Sequence, residues 1–127
     1  HTWVGLVDRD DEVHDLAVLE DLAVMGVVGI GNPAAFEATL AQHAGQVLHC
    51  EVLPDHHGYT RKQLLRFIDL AETAGAQAIV TTEKDWVKWA SRLEDEKVKL
   101  PIYRTALALR FVDGGDALAG LLGVLPT

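Results

Sequence analysis

The sequence predicts an α/β domain, a three-layer sandwich whose mostly parallel sheet carries helices on both faces. Two observations carry that prediction. Strand-like apolar runs alternate with helix-like segments, which requires crossover connections and therefore parallel strands. In addition, 127 residues with 49% apolar and only 6% aromatic side chains suit one ordinary core, without the bias of a disordered or disulfide-rich chain.

At the start, Thr2–Val7 and Val13–Leu19 flank the charged cluster Asp8-Arg9-Asp10-Asp11-Glu12, which reads as a turn. The two segments pair as a hairpin, or the second forms a short helix; the sequence leaves both open. From Val24 the chain runs apolar to Val28 and reaches Gly29-Ile30-Gly31-Asn32-Pro33, where Asn32 suits a helix N-cap and Pro33 the first helical position. Phe36, Leu40 and His43 recur at helical spacing up to Ala44, and Gly45 stands where a left-handed C-terminal residue is wanted.

Val47 to Leu53 is a β-compatible run ending in Pro54-Asp55-His56-His57-Gly58-Tyr59, which is too turn-prone to continue a central strand. Thr60 followed by Gln63 signals a capping box, Leu64, Leu65, Ile68 and Ala71 form an apolar stripe, and Gly75 closes that helix. Ala78–Thr81 is a short buried-type strand. Thr82 and Asp85 then open a helix with Trp86, Trp89, Ala90 and Leu93 on one face. Ile102–Leu109 reads as another strand, and Asp113-Gly114-Gly115 leads into a last helix from Asp116 to about Leu122.

Composition excludes several roles. A net charge of −8 argues against nucleic acid, whose phosphates draw on clustered Lys and Arg. The apolar stretch from Val24 to Ile30 is far short of the roughly 18 residues of a spanning helix, so a soluble domain is expected. Cys50 is the only cysteine, which forbids an internal disulfide and fits a reducing cytoplasm.

Function in such sheets sits outside the carboxyl ends of the strands, where residues 29–33, 54–59 and 81–85 are expected to converge. Gly29, Gly31 and Asn32 serve a tight strand-to-helix turn or a close approach of backbone to ligand. The string is neither a GxGxxG nor a P-loop, so no nucleotide is assigned to it. Asp55, His56 and His57 form a polar loop in which adjacent side chains diverge, so that one histidine faces the site. Capping accounts for Thr82 and Asp85. Lys84, Lys88 and Arg92 form a basic stripe at i, i+4 and i+8. It is read as a solvated face opposite a tryptophan-filled core, the alternative being contact with a lipid phosphate or membrane surface, with Trp86 and Trp89 as interfacial anchors. His49, Cys50, His56 and His57 have metal-ligand chemistry but not the spacing of a standard site, and no metal is expected.

In order and spacing, Gly29-Ile30-Gly31-Asn32-Pro33, Pro54-Asp55-His56-His57-Gly58-Tyr59-Thr60 and Thr81-Thr82-Glu83-Lys84-Asp85 resemble successive motifs of the lipid A 4'-kinase (tetraacyldisaccharide 4'-kinase) family. With the strand at Leu100-Pro101-Ile102, the resemblance covers about Leu22 to Leu109. Leu53 stands where the family often has Phe, and Trp86 and Trp89 where smaller residues are usual.

The resemblance implies a peripheral enzyme on the cytoplasmic face of the bacterial inner membrane. It moves the γ-phosphate of ATP to the 4'-hydroxyl of an acylated glucosamine disaccharide 1-phosphate, in lipid A (lipopolysaccharide) biosynthesis. Such kinases cradle phosphates with GxxxxGK[ST] and hold Mg²⁺. This chain has no such string. The expectation is therefore a C-terminal domain at residues 22–127, preceded by a linker or hairpin at residues 1–21, whose partner is its own N-terminal P-loop domain. ATP and Mg²⁺ belong to that half, and the fragment alone is expected to be inactive. The resemblance also implies that His56, beside Asp55, orients a catalytic aspartate of the absent half. From the residues themselves, His57 and Lys84 are the candidate substrate-binding positions, Lys84 as part of the basic stripe. The rival readings are a DHH-type metal-dependent phosphoesterase, built on Asp55-His56-His57 and the acidic cluster, and a stand-alone α/β binding module.

Overall fold

The computed structural model describes residues 3–107. Among these residues six strands form one sheet: β1 (Trp3–Val7), β2 (Val13–His14), β3 (Ala23–Val28), β4 (Gln46–Val52), β5 (Ala78–Thr82) and β6 (Ile102–Leu107). Their order is β2-β1-β6-β5-β3-β4. The four strands from β6 to β4 are parallel, and β1 lies antiparallel to both β6 and β2. The expected mostly parallel sheet is therefore present, with an antiparallel hairpin added at one edge.

Both alternatives for the N-terminal segment occur together. Val13–His14 pairs with β1 as a hairpin, and Leu16–Leu19 then forms a 3₁₀ turn capped by Asp15, which accepts from Ala17 N. Residues 108–127, which contain the end of the last expected strand and the helix expected from Asp116, lie outside the described residues.

Among the described residues three helices cover the sheet: α1 (Pro33–His43), α2 (Arg61–Ala74) and α3 (Glu83–Trp89). Strand alternation divides the core into two layers. Met25, Val27, Ile79 and Ile102 face α2 and α3, where Leu64, Phe67, Ile68, Ala71, Trp86 and Trp89 complete one cluster. Val24, Val28, Ala78, Val80 and Tyr103 face the other way onto Phe36 and Leu40 of α1, with Trp3, Leu6 and Leu19. The side chain of His43 stacks on Trp3 with ring centroids 5.8 Å apart, so the last turn of α1 shields the start of β1.

The caps explain where the helices begin and end. Asn32 accepts from Ala35 N at 3.3 Å ahead of Pro33. Thr60 accepts from Gln63 N at 3.1 Å, but the box is not reciprocal, because the Gln63 side chain turns to His57 instead. Gly75, at φ 85°, ends α2 in the left-handed region.

Gly45 departs from the sequence expectation. Its φ is not positive, and Ala44 closes α1 in extended conformation. A Cβ at Gly45 would lie 2.7 Å from Glu20 O, so this glycine is needed for close backbone approach rather than for handedness. Its N–H donates to Leu19 O at 2.9 Å.

Arg104 ties the hairpin to the helical layer. Nearly buried, it donates from Nη1 to Asp8 O at 3.0 Å, from Nη2 to Asp11 Oδ1 at 2.7 Å and from Nε to Glu83 Oε1 at 2.7 Å. Among the described residues, no helix is long and apolar enough to cross a membrane.

Candidate functional site

The topology changes direction at β3. The chain passes from β3 through α1 to β4 on one side, then crosses back through α2 to β5 on the other. The carboxyl ends of β3 and β5 therefore flank a switch point, the place where open α/β sheets keep their ligand sites. The turn 29–33, the loop 54–59 and the start of α3 all emerge there.

One side chain joins the three. Asp85 is fully buried, yet it follows Thr82 by three residues in an ordinary cap: Thr82 Oγ1 accepts from Asp85 N at 3.1 Å and donates to Asp85 Oδ2 at 2.7 Å. Beyond the cap, the Tyr59 hydroxyl donates to Asp85 Oδ1 at 2.9 Å, and Gly29 N–H lies 3.2 Å from both carboxylate oxygens. Gly29 permits this approach, because a Cβ there would stand 3.1 Å from Pro54 O and 3.2 Å from Tyr59 Oη.

The loop 54–59 is fastened along its length. Leu53 N donates to Val28 O at 2.8 Å, and His57 N turns back to Pro54 O at 3.1 Å. From α3, Lys84 Nζ donates to Asp55 Oδ1 at 3.0 Å and Lys88 Nζ to His57 O at 3.0 Å. The Lys84 hydrogen bond is the largest influence on the exposed Asp55 carboxyl and lowers its pKa. The basic stripe thus serves partly as a clamp on this loop.

His56 stands at the apex, in the left-handed region at φ 62°, with its side chain 79% exposed. Asp55 Oδ1 accepts from His56 N at 3.0 Å, which supports the turn. A left-handed histidine is uncommon, and held strain of this kind gathers at functional loops. His57 diverges as adjacent residues should. Its Nε2 lies 2.8 Å from Gln63 Oε1, and its ring meets Tyr59 edge-on at 4.9 Å between centroids. Burial, then the negative charge of Asp85, raises the pKa of the Tyr59 hydroxyl, so it remains a donor.

The structure therefore brings together Gly29, Gly31, Asp55, His56, His57, Thr82, Lys84 and Asp85, while Asn32 caps α1 just beside them. A Cβ on Gly31 would sit 3.4 Å from Asp55 Oδ2, so even this turn touches the loop. Trp86 and Trp89 are buried and cannot serve as interfacial anchors. Sequence reasoning passed over Tyr59 and treated Asp85 as a cap alone. The available signal was that Asp85 and Trp89, at i and i+4, share a face with each other and must enter the core together.

Acidic and imidazole groups cluster elsewhere. Asp8, Glu12 and His14 place ligand-type atoms within 4.8 Å of one another. Asp8 Oδ1 already accepts from Asp10 N and Glu12 N, and Oδ2 lies 2.7 Å from His14 Nε2, so the turn satisfies itself. Because β1 runs antiparallel to β6, this turn emerges towards the amino ends of the parallel strands, away from the loop 54–59. The two halves of a two-metal phosphoesterase scheme are therefore not brought together.

Comparison with known proteins agrees with the motifs. The sequence profile of the family described as tetraacyldisaccharide-1-P 4'-kinase matches residues 4–125. A tetraacyldisaccharide 4'-kinase from Afipia carboxidovorans is 35% identical over 117 residues, covering 90% of this chain and 34% of that protein. The one from Chlamydia abortus is 31% identical, covering 92% of this chain and 32% of that protein. A shorter match to the Anaeromyxobacter protein reaches 42% over 57% of this chain and 19% of that protein. The chain spans about a third of the length of the first two relatives. No solved structure gives a significant match. With three motifs on one rim and a profile match along nearly its whole length, the chain belongs to the tetraacyldisaccharide-1-P 4'-kinase family.

Proposed function

We propose that this chain is the C-terminal domain of an ATP-dependent kinase that phosphorylates the 4'-hydroxyl of the tetraacyl disaccharide 1-phosphate, and that it supplies one wall of the acceptor cleft. The observation that carries this reading is the convergence of the three motif segments at the switch point, with His56 exposed at the apex.

A sugar hydroxyl is a poor nucleophile and must lose its proton as the phosphoryl group arrives. In this reading a carboxylate from the nucleotide-binding half takes that proton, and His56 orients and tunes it, with Asp55 steadying the turn. ATP and Mg²⁺ are held mainly by that P-loop half, in keeping with the greater length of the relatives and with the absence of a GxxxxGK[ST] string here. His57 and Lys84 flank the apex and meet the acylated disaccharide; Lys84 uses one ammonium donor on Asp55 and keeps others for a phosphate. The whole protein works at the cytoplasmic face of the inner membrane, and the isolated chain transfers no phosphate.

The test is His56→Ala in the full-length enzyme. Turnover should fall by more than about tenfold with the fold intact, the usual scale for a group engaged in proton transfer. Wild-type turnover would reduce His56 to a loop residue.

A further inference from the structure

The contacts of Asp85 exceed what helix capping needs. Thr82 satisfies the cap, whereas Tyr59 and Gly29 lie 26 and 56 residues away in sequence and belong to the other two rim segments. The carboxylate is fully buried, so each of these bonds works in a dry setting, where a lost partner is not replaced by water.

The other fastenings of the loop are weaker. Lys84 and Asp55 are 48% and 42% exposed, so their ion pair is screened by solvent. Lys88 holds the carbonyl of His57, next to His56, but by a single flexible arm. The Tyr59 bond is the buried one, and Tyr59 lies three residues from His56.

Resting on the reading of His56 given above, we propose that Asp85 is a positioning residue for His56, acting through Tyr59 and Gly29 to set where the loop 54–59 stands over the switch point. Its carboxylate accepts hydrogen bonds from both flanking segments at once, so the height of the loop is referenced to the sheet itself through Gly29 at the end of β3. Gly29 favours the same register sterically, since a Cβ there would crowd Pro54 O at 3.1 Å and Tyr59 Oη at 3.2 Å. A displaced loop misplaces an imidazole that must meet a group from another domain.

The experiment measures kcat, KM for ATP and thermal midpoint in the full-length enzyme for Tyr59→Phe, His56→Ala and the double variant. Tyr59→Phe should lower kcat about tenfold, the scale of a sub-ångström misplacement, with KM for ATP unchanged. In the His56→Ala background it should add nothing, because a residue that acts through His56 has nothing left to act on. Effects that multiply, or wild-type kcat in Tyr59→Phe, overturn the positioning role and leave the His56 reading standing. Wild-type turnover in His56→Ala alone overturns the His56 reading, and positioning falls with it. Ile68→Val, in the same core cluster, controls for stability. It should lower the midpoint and spare kcat; a matching loss of kcat would make the Tyr59 effect one of stability and overturn the proposal.

Discussion

The guanidinium of Arg104 lies over the indole of Trp86, 5.6 Å from its centroid, while its nitrogens reach Glu83, Asp8 and Asp11. One planar cation thus satisfies three acceptors from two segments and also stacks on Trp86, a combination that an ammonium cannot reproduce. Glu83 and Asp11 are mostly exposed, so the two ion pairs contribute little and the carbonyl bond and stacking dominate. Arg104→Lys is expected to cost about 1–2 kcal/mol, read from urea denaturation, with little change when salt is raised.

His56 makes opposite demands on stability and activity. Its left-handed backbone is costly for any residue with a Cβ, and only the surrounding loop maintains it. His56→Gly is therefore expected to raise stability by up to about 1 kcal/mol, relative to His56→Ala, while turnover falls as in the alanine variant. Equal stabilities of the two variants would show that the loop relaxes out of this conformation.

Cys50 should be chemically quiet. Burial first, then the charges of Glu37 and Glu51, push its thiol up to about 12. Since the thiolate is the nucleophile, alkylation by iodoacetamide at pH 8 should run more than about a hundredfold slower in the folded chain than in urea. Rapid labelling of the native protein would contradict the packing of Cys50 against Gly26, whose Cβ position lies only 3.0 Å from Sγ.

Asp8 links stability to pH. Burial works to raise its pKa, but the hydrogen bond with His14 and those from Glu12 and Asp10 N–H together outweigh that and leave it below 3.8. A carboxyl depressed by folding contributes stability above its unfolded value, and that contribution disappears as pH falls through the folded value. The gap in urea midpoint between the native chain and Asp8→Asn should therefore be present at pH 7 and shrink below pH 3.8. A gap independent of pH would show that the turn is held by shape alone.

Local chemistry made the helices legible. Asn32-Pro33, Thr60, Thr82 and Gly75 each satisfy a helix end with neighbours inside a few residues, so their roles can be read without a fold. The convergence of the three rim segments followed from strand–helix alternation. Asp85 was harder, because its cap is local and visible while its bonds to Tyr59 and Gly29 exist only once the sheet is assembled. Arg104 was invisible for the same reason, with partners 93 and 96 residues away. Gly45 misled because two different physical needs, left-handed backbone and close approach, select the same residue.

The two ends of the sheet are fastened in different ways. At the amino ends of the strands the seam is largely main chain: Gly45 N to Leu19 O, Gln46 N to Leu22 O and Gln77 N to Ala23 O. Peptide groups are common to every residue, so that seam survives most exchanges of side chain, the close-approach glycine apart. At the opposite end one main-chain bond, Leu53 N to Val28 O, is joined by links from carboxylates, a phenol and two ammonium groups, each of a single residue type. Exchange of single side chains should therefore disturb the seam at the amino ends less than the joints at the carboxyl ends.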